Sequence, residues 1–575
     1  MTGLYDKSRI FETLNSTLLM YRKLSLLFIL FIPLVGLAQQ PVVSSKLSQK
    51  GQKLFEQNCG SCHNFTQDGI GPHLGGIGAI SDKAYIPGMI RNAQAMIDAG
   101  NTRALPLYRK FRTVMPSFDY LKEKEIKALI AFIEDQPEPP KVSSTMGKAI
   151  EDPIPQKIGS SGLVVKMEPV LQFPFTNDRI PRTRITKMDV HPITGERMVV
   201  DLQGKLYKLN AKDEPSVYMD MAKEFKSFIN SPGLATGFGS FAFHPEFEKK
   251  GLFYTTHSEP AGTKPADFAY ADSIPVKLQW IVEEWKTDNP ESEVFEGKSR
   301  ELFRIDMVTQ IHGMQEIAFN PYAEKGDDDY GLLFIGLGDG GAVEQGYDFI
   351  PRGKEMAWGK VYRIDPQGRN SKNGQYGIPA SNPFVGDPTA IQETYAMGFR
   401  NANRIHWLKD GRMLVSNIGQ RQVESLYLIP EPGVDCGWPD REGTFQIERK
   451  GDINFVYPLP GNDGDYNYPV AQYDHDEGNA IMGGFEYRGD DILELKGKYI
   501  FGEIVKGRLF YIDVADIESG RQAEIKEWFV SLEGKQVNLS DLTKTSKVDL
   551  RLGQDKDGHV YIMTKPDGMM YRLIP

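Results

Sequence analysis

The chain has 575 residues, 67 Lys plus Arg against 77 Asp plus Glu, and a formal charge of −10 at pH 7. That balance argues against a nucleic-acid partner and supplies no basic patch for a membrane surface. Three cysteines, Cys59, Cys62 and Cys436, exclude a disulfide scaffold and a zinc site of four cysteines.

Residues 20–38 read as a secretory signal. Arg22 and Lys23 precede an apolar stretch from Leu24 to Val35, and Gly36-Leu37-Ala38 supplies small residues where signal peptidase inspects the chain. The stretch is short for a membrane anchor, roughly 12 residues against about 20 for a bilayer span. The sequence therefore predicts a protein that is periplasmic or otherwise exported, with the signal cleaved.

The run Cys59-Gly60-Ser61-Cys62-His63 specifies covalently attached haem c. Two thiols three positions apart can form thioethers to the two haem vinyl groups, and the adjoining histidine then serves as the first axial ligand to iron. Leu47, Leu54 and Phe55 mark one face of a helix leading into the motif, and Ile126, Leu129, Ile130 and Ile133 mark a terminal amphipathic helix. With Gly71-Pro72-His73-Leu74 and Met115-Pro116 between them, residues 44–137 resemble a class I cytochrome c. In that family the methionine of such a Met-Pro pair is the second axial ligand, a role the resemblance gives to Met115. A soft thioether favours reduced iron and suits an electron carrier. Met89 and Met96 sit in helix-like stretches without that turn, and His73 reads as a turn residue.

Residues 138–162 carry Pro139, Pro140, Pro153 and Pro155 without apolar periodicity, the pattern of a semi-stiff tether. From 163 to 575 one theme recurs six times. A short alternating strand and a turn lead to a strand of aromatic and β-branched residues, then to a glycine and a strand such as Leu206-Tyr207-Lys208-Leu209 or Val361-Tyr362-Arg363-Ile364. At roughly 70 residues per repeat, each copy can form a four-stranded sheet with long loops, which predicts a six-bladed β-propeller. The expected fold is thus multidomain: a small all-α cytochrome followed by an all-β propeller. His191 and His244 fall in turns and read as structural.

Several runs in the propeller resemble the glucose/sorbosone dehydrogenases, six-bladed propellers that use pyrroloquinoline quinone (PQQ) and calcium to oxidise sugars. They are Gly239-Ser240-Phe241-Ala242-Phe243-His244-Pro245, Leu337-Gly338-Asp339-Gly340-Gly341, Gly398-Phe399-Arg400-Asn401, Cys436-Gly437-Trp438-Pro439 and Gly483-Gly484-Phe485-Glu486-Tyr487. The quinone carries three carboxylates, which call for cations. The resemblance assigns Arg400, Asn401, Lys506 and Arg551 to it. It sets calcium at Gly419 and Gln420, ahead of Glu424. It makes His312 the base that takes the sugar's hydroxyl proton, a task an imidazole suits, and Asp339 the carboxylate that orients it. His475 reads as a loop residue. Glu503 stands where the family often has Asp, and the first blade lacks the family's arginine before Gly204.

The resemblance implies hydride transfer from a sugar or related polyol to PQQ, with electrons relayed to the chain's own haem. A cytochrome, an oxidase or the quinone pool would then receive them. Two other readings stand beside this one. The propeller could be a non-catalytic binding module carrying an electron-transfer cytochrome, or a calcium-dependent lactonase-like propeller. The lactonase reading needs side-chain carboxylates and amides around calcium, whereas the turn at 419–420 offers mainly carbonyls. Cys436 reads as a small core hydrophobe.

Overall fold

The computed structural model describes residues 45–575 apart from 61, 67, 70, 112, 113, 141–143, 234, 462, 464 and 465. The predicted signal at 20–38 lies outside the described residues.

The N-terminal unit is helical. Its longer helices span Lys46–Asn58, Tyr85–Asp98, Ala104–Phe111 and Glu123–Glu134. The last begins where the Lys122 N–H donates to the Glu125 carboxylate at 2.8 Å, which satisfies a donor the helix itself leaves open. The stripe expected on it is the one that packs: Ile126, Leu129 and Ile133 are buried against Phe55, Ile90 and Ile97, with Ile130 half-buried at the edge.

The remaining chain forms six blades. Inner strands Ile185–Val190, Phe238–Phe243, Glu316–Phe319, Ala402–Trp407, Ile481–Glu486 and Leu550–Gln554 each start an antiparallel meander. The strands alternate in side-chain direction yet most are buried on both faces, because each blade is covered by its neighbours; Leu333–Leu337, for example, is wholly buried. The ring closes through Gly159–Gln172. This strand pairs antiparallel with Met569–Ile574, completing the sixth blade, and parallel with Lys526–Leu532 of the fifth. The closing strand begins within the span the sequence assigned to the tether, and the six-fold pattern did not include it.

The segment before that strand lies along the propeller. Thr145 donates from its N–H and hydroxyl to Glu448, Ile150 N–H bonds the Val456 carbonyl at 2.9 Å, and Lys157 pairs with Asp476 at 2.9 Å. A small extra sheet inside the fourth blade, Arg441–Glu442, Phe445–Ile447 and Val456–Tyr457, brings Glu442 towards the ring's functional face.

Candidate functional site

In the helical unit, the backbone turn that leaves the first helix shapes the haem motif. Cys59 and Gly60 N–H groups both return to the Phe55 carbonyl, and Cys62 and His63 N–H groups return to Cys59. His63 Nδ1 lies 2.7 Å from the Pro72 carbonyl. A carbonyl only accepts, so Nδ1 carries the proton and Nε2 is left for a metal. A Cβ at Gly71 would fall 2.4 Å from His63 Cε1, so only glycine lets this loop lie on the ring. Burial lowers the His63 pKa and favours the neutral imidazole, the form that ligates. Burial also pushes the Cys59 thiol up to about 12, unlike the depressed thiol of a redox dithiol. Met115 is half-buried on the core that holds Cys59. Met96 instead lays its sulfur against Gly88 of its own helix. Cys59 and Met115 on a shared core, with Cys62 and a neutral imidazole of fixed tautomer in the adjoining turn, fit haem c.

On the propeller, His312 sits in the connection between the second and third blades with φ +56°, a conformation few non-glycine residues adopt. Gly338 makes room for it, since a Cβ there would lie 2.6 Å from His312 Cβ and from its carbonyl oxygen. His312 Nδ1 meets Asp339 Oδ1 at 2.7 Å. The same oxygen accepts from Gly341 N–H at 2.8 Å, and Asp339 Oδ2 accepts from Trp438 Nε1–H at 3.0 Å. Three donors thus fix the carboxylate, and the carboxylate fixes the imidazole with Nε2 as its free acceptor side.

Asp339 is tied to the next pair as well, because its N–H donates to the Arg400 carbonyl at 2.8 Å. The Arg400 guanidinium reaches Gln420 Oε1 at 2.7 Å and pairs with Glu344. Asn401 Oδ1 and Gln420 Nε2 are buried without hydrogen-bond partners. Each such group costs about 1–3 kcal/mol unless something else satisfies it, so the pair fits a polar ligand. Beside them, Glu442 Oε1 accepts the N–H groups of Arg421, Gln422 and Val423, while its Oε2 is buried without a partner. Glu424 is fully buried and meets His475 Nε2 at 3.0 Å across to its strand, while His475 Nδ1 is buried without a partner, so His475 is more than the loop residue the sequence suggests. An open carboxylate oxygen next to the 419–420 turn fits a hard cation. Among the described residues, one group of three or more His, Cys, Asp or Glu side chains is close enough to share a metal. It is Asp555, Asp557 and His559, in a sixth-blade turn.

The residues assigned from sequence therefore fall into separate groups. His312, Asp339, Arg400, Asn401 and Gln420 form one network, adjoining Gly419. Lys506 stands apart, with Nζ on the carbonyls of Asp476 and Glu477 at 3.1 and 3.2 Å. Arg551 belongs to a third cluster that the sequence reading missed: it, Lys547 and Lys565 all lie within 3.3–3.6 Å of buried Asp549. Arg184 acts on the same cluster electrostatically. Desolvation lowers Lys565 to about 7 and Arg551 to about 10. Four basic side chains around one carboxylate suit a ligand bearing several carboxylates. Lys565, inside Thr564-Lys565-Pro566-Asp567-Gly568, looks like an ordinary turn residue in the sequence. Trp438 was legible only as part of a motif, without its role on Asp339.

Together these features define a β-propeller of the sugar-dehydrogenase type joined to a c-type cytochrome. The chain belongs to the Glucose / Sorbosone dehydrogenase family, whose profile matches residues 187–572, and the Cytochrome c profile matches residues 48–137. The chain is 23% identical over 455 residues to the HIPL1 protein of Arabidopsis thaliana, covering 69% of this chain and 62% of that protein. To the Hedgehog-interacting protein of Mus musculus it is 24% identical over 382 residues, covering 65% of this chain and 47% of that protein. The matches thus span less than two thirds of these relatives. A crystal structure of a glucose dehydrogenase superposes with a TM-score of 0.51 at 15% identity, covering 71% of this chain and 99% of the other, a likeness of fold. The PQQ-bound aldose sugar dehydrogenase of Streptomyces coelicolor gives 0.47 at 18% identity, covering 71% of this chain and 98% of the other.

Proposed function

We propose that this chain is an exported quinohaemoprotein dehydrogenase that oxidises a sugar or related polyol and relays the electrons to its own haem c. The observation that carries the reading is the His312–Asp339 pair, held at 2.7 Å in a strained backbone and joined through Arg400 to unsatisfied buried polar groups. Arg400, Asn401 and the cluster of Arg551, Lys565, Lys547 and Arg184 would hold the carboxylates of PQQ. Gly419, Gln420 and the open Glu442 oxygen would hold calcium. When bound, the quinone supplies a two-electron hydride acceptor. His312 Nε2 takes the hydroxyl proton, and Asp339 stabilises the imidazolium that results. His63 and Met115 would ligate the haem iron. Export is supported by the 20–38 pattern and by the haem motif.

The test is reconstitution with PQQ and calcium, followed by dye reduction across a panel of aldoses and polyols. Saturable, sugar-dependent reduction that needs both additions supports the reading, and its absence in a quinone-loaded protein overturns it. A second reading, a binding propeller, draws on the relatives named Hedgehog-interacting protein. A chain that attaches haem yet leaves added quinone unbound would favour it.

A further inference from the structure

The cytochrome unit rests on the face of the propeller that carries His312. Its contacts come from nearly every sector of the rim. Arg179, just before the first blade, lies over the Tyr120 ring at 4.1 Å, and Arg421 of the fourth blade lies over Phe111 at 4.0 Å. Lys277 of the second blade pairs with Glu56 at 2.8 Å. Gln310, two residues before His312, packs against Gly60 inside the haem motif. Lys547, before the sixth blade, lies near Cys62 of the haem motif. Inside this ring of contacts His312 is 8% exposed, so the cytochrome stands across the approach to a largely buried imidazole.

The seam is of the kind that opens. Among the described residues, the cytochrome's apolar core draws only on residues 54–133, and no apolar cluster of the propeller includes a cytochrome residue. Contacts across the seam among the described residues include a part-exposed ion pair that salt weakens, the packing of Gln310 on Gly60, and two cation–π contacts, of which Arg421 over Phe111 is buried and the stronger. The linker, by contrast, is bonded to the propeller from Thr145 onward.

We infer that the cytochrome is a reversible lid on the site face: substrate passes with the lid raised, and electrons pass with it lowered. That the substrate is a sugar rests on the proposed function; the lid rests on the contacts. The electron count makes the alternation useful. Oxidising one hydroxyl to a carbonyl releases two electrons and two protons. Ferric haem takes one electron at a time, so it must pass the first to an external acceptor before taking the second. A lowered lid keeps the haem at the site through both transfers, and a raised lid then exchanges product for substrate.

The experiment uses the haem-loaded full chain and two double variants of the seam. Lys277→Glu with Arg179→Glu should raise the lid. Hydrogen exchange in residues 308–315 and 419–424 should then quicken by about tenfold, and high salt should act in the same direction on the native chain. In the PQQ-loaded protein the same variant should lower the sugar KM with a small dye, while sugar-driven haem reduction slows by about tenfold. A short thiol-reactive cross-linker joining Glu56→Cys to Lys277→Cys, long enough to span the Lys–Glu pair it replaces, should hold the lid down and abolish sugar turnover, relative to either single variant. Unchanged exchange in the charge-reversed chain, or full turnover in the cross-linked one, overturns the lid. Quickened exchange in a chain that oxidises no sugar upholds the lid and sinks the sugar reading alone.

Discussion

His312 Nδ1 and Asp339 Oδ1 stand 2.7 Å apart, although 27 positions and the first two strands of the third blade separate them in the chain. The contact depends on Gly338, which lets the backbone come against His312, and on Trp438, which holds the other carboxylate oxygen. His312→Ala should lower sugar turnover by about 100- to 10,000-fold, the usual loss of a general base, while haem content and quinone binding persist. Trp438→Phe should lower turnover less, through a misaligned carboxylate, and shift the pH–rate profile. Near-normal turnover in His312→Ala would remove it from the mechanism.

The haem ligands are checked by spectroscopy. Loss of Met115 as Met115→Ala should remove the thioether-to-iron charge-transfer band and lower the reduction potential, since the soft ligand favours reduced iron. A band that persists would move the ligand to Met89 or Met96.

The architecture was legible because its signals are local. Cys59–His63 is contiguous, each inner strand alternates over a few residues, and the terminal helix carries its stripe at the right spacing. What stayed hidden depends on chain closure or on burial. The strand Gly159–Gln172 has a partner some 400 residues away, and its Ser- and Gly-rich start reads as linker. Lys565 and Lys547 become a cation cluster only because both surround Asp549. The family pattern supplied Arg551 but not these two.

Acid should weaken the propeller through two of its turn histidines. Burial lowers His191 and His244 to about 4, whereas the unfolded chain binds these protons from about 6.5. Between those values unfolding takes up protons, so stability is full above 6.5 and falls as the pH drops towards 4. Thermal melts should show that fall, and His191→Gln or His244→Gln should flatten part of it. An unchanged pH slope in both variants would show that the acid sensitivity lies elsewhere.

Cofactor binding should itself move a proton. In the free protein Lys565, lowered to about 7 chiefly by burial, is mostly neutral at pH 8. Carboxylates arriving beside it favour the charged ammonium. Titration of the chain with PQQ at pH 8 should therefore take up close to one proton, read as a dependence of the binding heat on the buffer's ionisation enthalpy. Lys565→Met should abolish that dependence and weaken binding. A buffer-independent heat in the native chain would exclude Lys565 from the quinone site.

The two units share one chain because the acceptor is needed twice for every sugar. A tethered acceptor has a fixed effective concentration, so its encounter with the donor does not depend on dilution. The rim contacts add orientation, with Gly60 of the haem motif against Gln310 and Phe111 under Arg421. Sugar should therefore reduce the haem at a rate independent of protein concentration in stopped-flow experiments. Deleting residues 44–137 should spare activity with small dyes and abolish reduction of a partner cytochrome. Haem reduction that scales with protein concentration would show that each cytochrome serves other molecules, and the relay within one chain would then be wrong.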